Sequence, residues 1–249
     1  GNIMRLKDKV AIVTGGGSGF GIGICEKFSQ EGAKVIVADI NLSSATEIAN
    51  AINGTAIEVD VSDSKSMKSF SEKVFSEFGK IDILVNNAGV THLPAPLESV
   101  SEEEFDRVLN VNVRSIYLAA RNFVPHMKSN KSGVILNMAS TAGVSPRPNL
   151  NWYNASKGWV ITATKTMAVE LAPHGVRVNA LNPVAGETPL LKAFMGEDTP
   201  EIRKKFLSTI PIGRFSTPED LGNAACYLCS DEASMITGIA MEVDGGRCI

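Results

Sequence analysis

At 249 residues, with 44% hydrophobic side chains and a net charge of -3, the chain has the size of one large α/β domain and ample apolar material for a single core. The slightly acidic balance leaves no basic footprint for nucleic acid. No apolar run approaches the roughly 18 residues of a membrane span, and no signal peptide opens the chain. A cytoplasmic protein of one domain, 1–249, is expected, with Gly1-Asn2-Ile3 ahead of Met4 as an appended remnant.

The first predicted element is a strand near 9–14, Lys9-Val10-Ala11-Ile12-Val13, which runs into Thr14-Gly15-Gly16-Gly17-Ser18-Gly19-Phe20-Gly21 and then a helical pattern. Glycines there permit a tight turn and let backbone N–H groups approach a pyrophosphate at a helix N-terminus. Their spacing, Gly-x-x-x-Gly-x-Gly, differs from the common dinucleotide fingerprint Gly-x-Gly-x-x-Gly. Further β-branched runs near 34–38, 55–60, 82–86, 133–139, 176–181 and 239–243 alternate with helical patterns. This predicts a doubly wound Rossmann-type α/β fold, a seven-stranded, mainly parallel sheet with helices on both faces. Ligands of such sheets bind outside the carboxyl ends of the strands. Thr14, Asp39, Asp60, Asn86 and Ser140 all fall at or just past predicted strand ends.

Asp39 closes the second strand. A carboxylate there accepts both ribose hydroxyls of an adenosine and repels a 2′-phosphate, or else it caps the turn beginning at Asn41. Further along, Ser140 precedes Tyr153-Asn154-Ala155-Ser156-Lys157. Residues four apart lie on one helical face, so Lys157 is expected to hold its charge near the Tyr153 oxygen and lower the phenol's pKa. Tyr153 would then exchange a proton with a carbonyl or alcohol oxygen that Ser140 also binds. The segment of about 184–214 contains Leu190, Leu191, Phe194, Met195 and Phe206 and reads as a mobile substrate lid, with a helical insertion packed on the core as the plain alternative.

Cys25, Cys226, Cys229 and Cys248 are too few and too scattered for a disulfide scaffold, and Cys226-x-x-Cys229 lies within a helical pattern without a second ligand pair. We read Cys226 and Cys229 as core packing and expect no metal site. Of the histidines, His92 alone, in a loop after a strand, is placed to touch substrate. Pocket candidates are Val90 to Leu93, Thr141 to Leu150, Trp152 and the apolar residues of the lid, with Asn149 and His92 adding polar contacts.

With Asp60-Val61, Asn86-Asn87-Ala88-Gly89, Asn110-Val111-Asn112, Arg177-Val178-Asn179 and Asp244-Gly245-Gly246 added in order, the chain resembles the short-chain dehydrogenase/reductase family over essentially its whole length. The resemblance implies a catalytic set of Asn112, Ser140, Tyr153 and Lys157. It also implies a cofactor site of Gly15, Ser18, Gly19, Phe20, Gly21, Asp39, Asp60, Val61, Asn87, Ala88, Gly89, Tyr153, Lys157, Pro183 and Thr188. Asp60 and Val61 would meet the adenine, Asn86 and Gly89 the ribose side, and Thr188 the nicotinamide carboxamide. Lys157 would also bind the nicotinamide ribose, and Asn112 would hold a water behind it. Ser18 and Ile40 stand where phosphate-preferring relatives often carry basic residues, so NAD is the expected cofactor. The chain departs from the family at Val184, where glycine is usual, with Gly186 two residues on, and at Ser115, where many members have glycine.

The leading expectation is an NAD-dependent dehydrogenase acting on a small-molecule secondary alcohol/ketone pair. A rival is 3-oxoacyl-[acyl-carrier-protein] reductase; such enzymes usually prefer NADPH and dock an acidic carrier through basic residues, where this chain offers only Lys131 and His174. A second class is a catalytically idle dinucleotide-binding sensor or structural subunit, against which the intact Tyr153, Lys157, Ser140 and Asn112 argue. The resemblance further implies a homotetramer. Trp159 would pack across a subunit boundary or within its own subunit, and the tail Arg247-Cys248-Ile249 would help wall a neighbour's pocket.

Overall fold

The computed structural model describes residues 3–249; Gly1 and Asn2, part of the expected remnant, lie outside the described residues. Seven strands form one sheet: β1 (Val10–Thr14), β2 (Lys34–Asp39), β3 (Thr55–Glu58), β4 (Ile83–Asn86), β5 (Gly133–Met138), β6 (Val176–Pro183) and β7 (Ala240–Val243). Their order is β3-β2-β1-β4-β5-β6-β7, and every pairing is parallel. The third strand stops two residues short of expectation because the chain turns at Asp60, whose backbone N–H donates to Ser66 Oγ at 2.9 Å.

The order reverses between β1 and β4, and helices cover both faces. Alternate side chains of β1 go to opposite layers. Val10 and Ile12 join Phe70, Val74, Phe123 and Met127, from α3 (Ser64–Phe78) and α5 (Ser115–Asn130). Ala11 and Val13 join Ile24, Phe28, Ala45 and Leu221, from α1 (Gly19–Gln30), α2 (Leu42–Ile52) and α9 (Pro218–Cys229). Covered on both faces, β1 and β4 are buried at every position, which accounts for their unbroken apolar runs. Helices α1 and α9 cross almost at backbone contact: a Cβ at Gly23 would stand 1.9 Å from the Pro218 carbonyl oxygen, and one at Gly222 2.4 Å from that of Gly23.

Asparagine and aspartate start two of these helices. Asn41 Oδ1 accepts the Ser44 N–H at 3.0 Å and Asp63 Oδ2 that of Ser66 at 2.8 Å, each satisfying a first-turn donor. Between β4 and β5 the chain forms α4 (Glu102–Leu109) and then a wider π turn, Asn110–Arg114, before α5. Ser115, just after that turn, hydrogen-bonds back to the Val111 carbonyl. Helix α6 (Asn151–Leu171) precedes β6. After β6 come α7 (Leu191–Met195) and α8 (Pro200–Leu207), which gather around a small core of their own, made of Val184, Leu191, Met195, Ile210 and Phe215.

Cys226 and Cys229 pack in the α1/α2/α9 layer with Cys25, and burial pushes all three thiols up, as inert core residues require. No helix among the described residues is long and apolar enough to cross a membrane.

Candidate active site

The C-terminal ends of the strands open on a cavity of about 570 Å³. At its centre, α6 presents Tyr153 and Lys157, both buried. Lys157 Nζ donates to the Met138 carbonyl, the last of β5, at 2.9 Å, and stands 5.9 Å from the centroid of the Tyr153 ring. Two residues after Met138, Ser140 Oγ accepts the Ala142 N–H at 3.0 Å and lies near enough to the Tyr153 phenol to pull its pKa down. One strand end therefore sets both a carbonyl anchor for the lysine and a hydroxyl partner for the tyrosine.

The expected lowering of the Tyr153 pKa is not what the geometry produces. Burial pushes the phenol up to about 12, and Ser140 beside it pulls the other way without offsetting that. The same burial pulls Lys157 down to about 8. Desolvation penalises the charged form of each, and at this separation it outweighs their attraction.

Asn112 sits inside the π turn rather than on a regular helix. Its Oδ1 accepts the Val90 N–H at 2.8 Å, and its Nδ2 donates to the Val90 carbonyl at 2.8 Å and to Ser156 Oγ at 3.1 Å. Ser156 Oγ in turn donates to the Tyr153 carbonyl at 2.7 Å, so Asn112 ties the loop after β4 to α6. A Cβ at Gly89 would lie 3.4 Å from Lys157 Nζ and 3.5 Å from Asn112 Oδ1, which puts lysine and amide side by side. With both Nδ2 protons engaged, only the second lone pair of Oδ1 is left for a water.

Gly15, Ser18, Gly19, Phe20, Asp39, Asp60, Val61, Asn87, Ala88, Gly89, Pro183 and Thr188 line the rest of the cavity with Ser140, Tyr153 and Lys157. These residues fit a dinucleotide. Gly15 adopts φ +61°, and Ser18 heads α1 without a side-chain cap or an acidic residue in the first turn, leaving the helix's positive end toward the cavity. Asp39 takes the capping role expected of it. Its Oδ2 accepts from Gly17 N and its Oδ1 from Asn41 N, each at 3.0 Å, which fixes the carboxylate at the cavity wall with a lone pair left on each oxygen. Asp60 is held by Ser62, whose N–H and Oγ both donate to Oδ1. Asn87 spans from Thr14 to the glycine turn, donating from Nδ2 to the carbonyls of Thr14 and Gly15.

Several expectations change. Gly21 does not line the cavity; a Cβ there would stand 2.2 Å from the Gly15 carbonyl oxygen, so it serves the close approach of turn and helix. Asn86 turns into the sheet, donating to Asn137 Oδ1 at 2.9 Å, and Asn87 takes the cavity position instead. Thr188 lies against the glycine turn, its Cβ 3.5 Å from where a Gly19 Cβ would be. The displaced glycine has a steric reason: a Cβ at Gly186 would meet the Phe20 ring at 2.4 Å, while Val184 is buried in the small core.

On the substrate side, His92 is buried away from the cavity with Nδ1 bonded to the Leu93 carbonyl, Asn149 and Leu93 are exposed, and Trp152 bonds the Leu97 carbonyl and packs on Phe105. Of the expected candidates, Val90, Leu150, Leu190, Phe194, Phe206, Ser145 and Arg147 do form the walls, joined by Asn154 and Arg247, which were not foreseen there. The tail thus reaches this chain's own cavity. Leu191 and Met195 face the small core rather than the pocket.

Comparison with known proteins bears on what this site does. Residues 15–247 match a family model described as enoyl-(acyl carrier protein) reductase. The chain is 48% identical to the 4-formylbenzenesulfonate dehydrogenase of Comamonas testosteroni, covering 99% of this chain and all of that one. It is 40% identical to a 3-oxoacyl-[acyl-carrier-protein] reductase of Thermotoga maritima, covering 99% and 100%. The crystal structure of a 3-ketoacyl-(acyl-carrier-protein) reductase from Brucella melitensis complexed with NADH superposes with a TM-score of 0.94 at 51% identity, covering 98% and 100%.

The buried ammonium carries a cost that pH can relieve. Its folded pKa, about 8, lies below the ordinary 10.5, so between those values the unfolded chain binds the extra proton and stability rises with pH. The full effect is roughly 3 kcal/mol at ~1.4 kcal/mol per unit. Tyr153 acts oppositely, but only above pH 10. In urea titrations Lys157→Met is expected to match or exceed the parent stability at neutral pH, after losing a hydrogen bond worth about 1 kcal/mol. The parent should gain on it from pH 8 to 10; a stability difference flat across that window would contradict the desolvation account.

Proposed function

The chain belongs to the short-chain dehydrogenase/reductase family, and from that premise we propose that it is an NAD(H)-dependent oxidoreductase interconverting a secondary alcohol and its ketone, with Tyr153 as general acid and base. The observation that supports this best is the buried Tyr153 phenol in a cavity that Ser140 also lines, with Lys157 one helical turn along the same cavity wall. The dinucleotide supplies or accepts the hydride at its nicotinamide ring. Gly15, Ser18, Gly19 and Phe20 would hold the pyrophosphate side, Asp39 the adenosine ribose, and Asp60 and Val61 the adenine. Asn87, Ala88, Gly89, Pro183 and Thr188 would flank the remainder.

The residues of the chain then do the proton work. A phenol with a pKa near 12 is protonated at neutral pH, the state needed to donate to a ketone oxygen as that oxygen gains charge. Ser140 orients the same oxygen. Lys157, charged below about pH 8, offers its remaining N–H donors toward the cavity and stabilises negative charge at the phenol as the proton leaves. Alcohol oxidation needs the phenolate, so its rate should climb with pH while ketone reduction stays level around neutrality. Tyr153→Phe is expected to cut kcat below a few per cent of the parent value with NADH affinity nearly unchanged, since it removes only the transferable proton. A variant retaining substantial turnover would take the acid-base role away from Tyr153.

Asp39 supports NAD over NADP through repulsion of a 2′-phosphate, and exposed Ile40 beside it offers no compensating charge. Asp39→Ala combined with Ile40→Arg is expected to shift the NADH:NADPH ratio of kcat/KM toward NADPH by about tenfold or more, or ~1.4 kcal/mol. A parent enzyme that prefers NADPH would overturn this reading. The whole chain would act as one dinucleotide-binding unit with 184–214 as its lid, and slower hydrogen exchange in that segment on adding NADH would register its closure.

The alternative of 3-oxoacyl-carrier reduction rests on the names of two of the relatives. Against it stand Asp39 and the position of Lys131 and His174, which precede β5 and β6 at the edge of the sheet opposite this chain's cavity. For assembly, we propose a homotetramer. Trp159 and Tyr117 are about half exposed and Val169 more so, an apolar surface on α5 and α6 suited to a subunit boundary. Light scattering is expected to give about four chains per particle, and Trp159→Ala to weaken the assembly; a stable monomer would refute it.

A further inference from the structure

Two arginines stand where an ordinary alcohol needs none. Arg147, in the loop before α6, and Arg247, in the tail after β7, both line the cavity that Tyr153 and Ser140 enter. Arg147 lies over the Phe206 ring, 4.5 Å from its centroid, donates from Nη2 to Thr209 Oγ1 at 2.7 Å, and has its backbone carbonyl held by Asn154 Nδ2 at 2.8 Å. Arg247 donates from Nη1 to Ser145 Oγ at 3.2 Å, on the loop that begins at Ser140.

Neither guanidinium forms an ion pair among the described residues, whereas Arg5, Arg107, Arg203 and Arg214 each do. The nearby Asp244 carboxylate is engaged by backbone, its Oδ1 accepting from Gly246 N and its Oδ2 from Cys248 N, each at 3.0 Å. Arg147 is half-buried and its pKa is lowered, first by burial and then by Arg247, so the two charges feel each other. Like charges held together in partly dry surroundings are unfavourable unless an anion comes between them.

We propose that Arg147 and Arg247 form a receptor for an anionic group on the substrate, so that the preferred alcohol or ketone carries a carboxylate, sulfonate or phosphate at the end away from the reacting carbon. The rest of the cavity fits that shape. Phe194 packs 5.1 Å from Tyr153, centroid to centroid, and with Leu150, Leu190 and Phe206 makes an apolar wall for the body of the molecule. Guanidinium forks match such oxyanions, and each here has most of its donors open. Phe206 and Thr209 belong to 184–214, so the segment proposed as a lid also steadies Arg147.

The inference rests on the dehydrogenase reading, and two probes separate them: para-acetylbenzoate and its neutral counterpart para-methylacetophenone, reduced with NADH. The parent enzyme is expected to favour the carboxylate by about tenfold or more in kcat/KM, and Arg147→Gln with Arg247→Gln to erase most of that preference through KM. The single Arg247→Gln variant, at the chain's edge, should show the same trend if the double variant folds poorly. Calorimetric binding of para-acetylbenzoate to the NADH-loaded enzyme provides a readout independent of turnover. Binding that the variants lose, with no reduction of either ketone, would support the receptor and sink the dehydrogenase reading. Reduction of the neutral ketone without preference for the carboxylate, or variants that slow both ketones equally, would overturn the receptor alone.

Discussion

The single bond from Lys157 Nζ to the Met138 carbonyl organises the site, because an ammonium that deep in the protein needs an acceptor and β5 ends where it can supply one. That requirement couples three features otherwise far apart in sequence. Strand β5 must lie mid-sheet and end where its last carbonyl can accept from Lys157, α6 must cross at the height that brings Lys157 to it, and the chain leaving β5 must turn at once to bring Ser140 to the cavity that Tyr153 lines. The π turn at Asn110–Arg114 completes the frame. Its Asn112 joins Val90 and, through Ser156, the Tyr153 carbonyl, so the tyrosine is fixed from its backbone side as well.

A price is visible in the electrostatics. The phenol and the ammonium are both shifted toward neutrality by the same burial, Tyr153 up to about 12 and Lys157 down to about 8. The sequence spacing correctly puts the two on one helical face, but spacing carries no information on how much water reaches them. Desolvation depends on everything packed around α6, including Phe194 from a helix some forty residues away. The direction of the tyrosine shift was therefore outside the reach of a local argument.

The same distinction separates what the amino-acid sequence makes legible from what it hides. Strands β1, β2, β4 and β5 carry apolar stretches bounded by turn or polar residues, and a parallel sheet buries them on both faces, so their positions and the ligand-bearing edge are readable from the pattern of residues. Asp39, Asp60 and Asn87 stand at those edges because strand ends are where the chain must turn. The π turn escaped notice because its residues continue a helical pattern and only the hydrogen-bond register changes. Asn86 misled for a related reason: adjacent residues at a strand end point to opposite sides, and which one faces the cavity depends on whether Asn137 needs a partner. Arg147 fell within the pocket stretch read from sequence, but nothing local tells that Arg247 would come back to it.

The two halves of the cavity accordingly differ in how they are made. Most of the half proposed for the dinucleotide is built at strand ends within the first ninety or so residues, with Pro183 and Thr188 added from after β6, and it is constrained by sheet geometry and by close backbone approaches such as Gly21 on Gly15. The other half of the cavity is assembled from Leu150, Phe194, Phe206 and Arg247, on loops, short helices and the tail, with Phe206 resting on the small core that follows β6. Substitution in the first half disturbs the sheet and its turns. In the second it disturbs little beyond the local cluster, because Val184, Leu191, Met195, Ile210 and Phe215 pack largely with one another. A fold divided in this way can keep the Tyr153–Lys157 arrangement constant while the charge and shape of the neighbouring walls vary, since Lys157 is anchored to β5 and fixes the helical turn it shares with Tyr153, while those walls stand on loops, short helices and the tail.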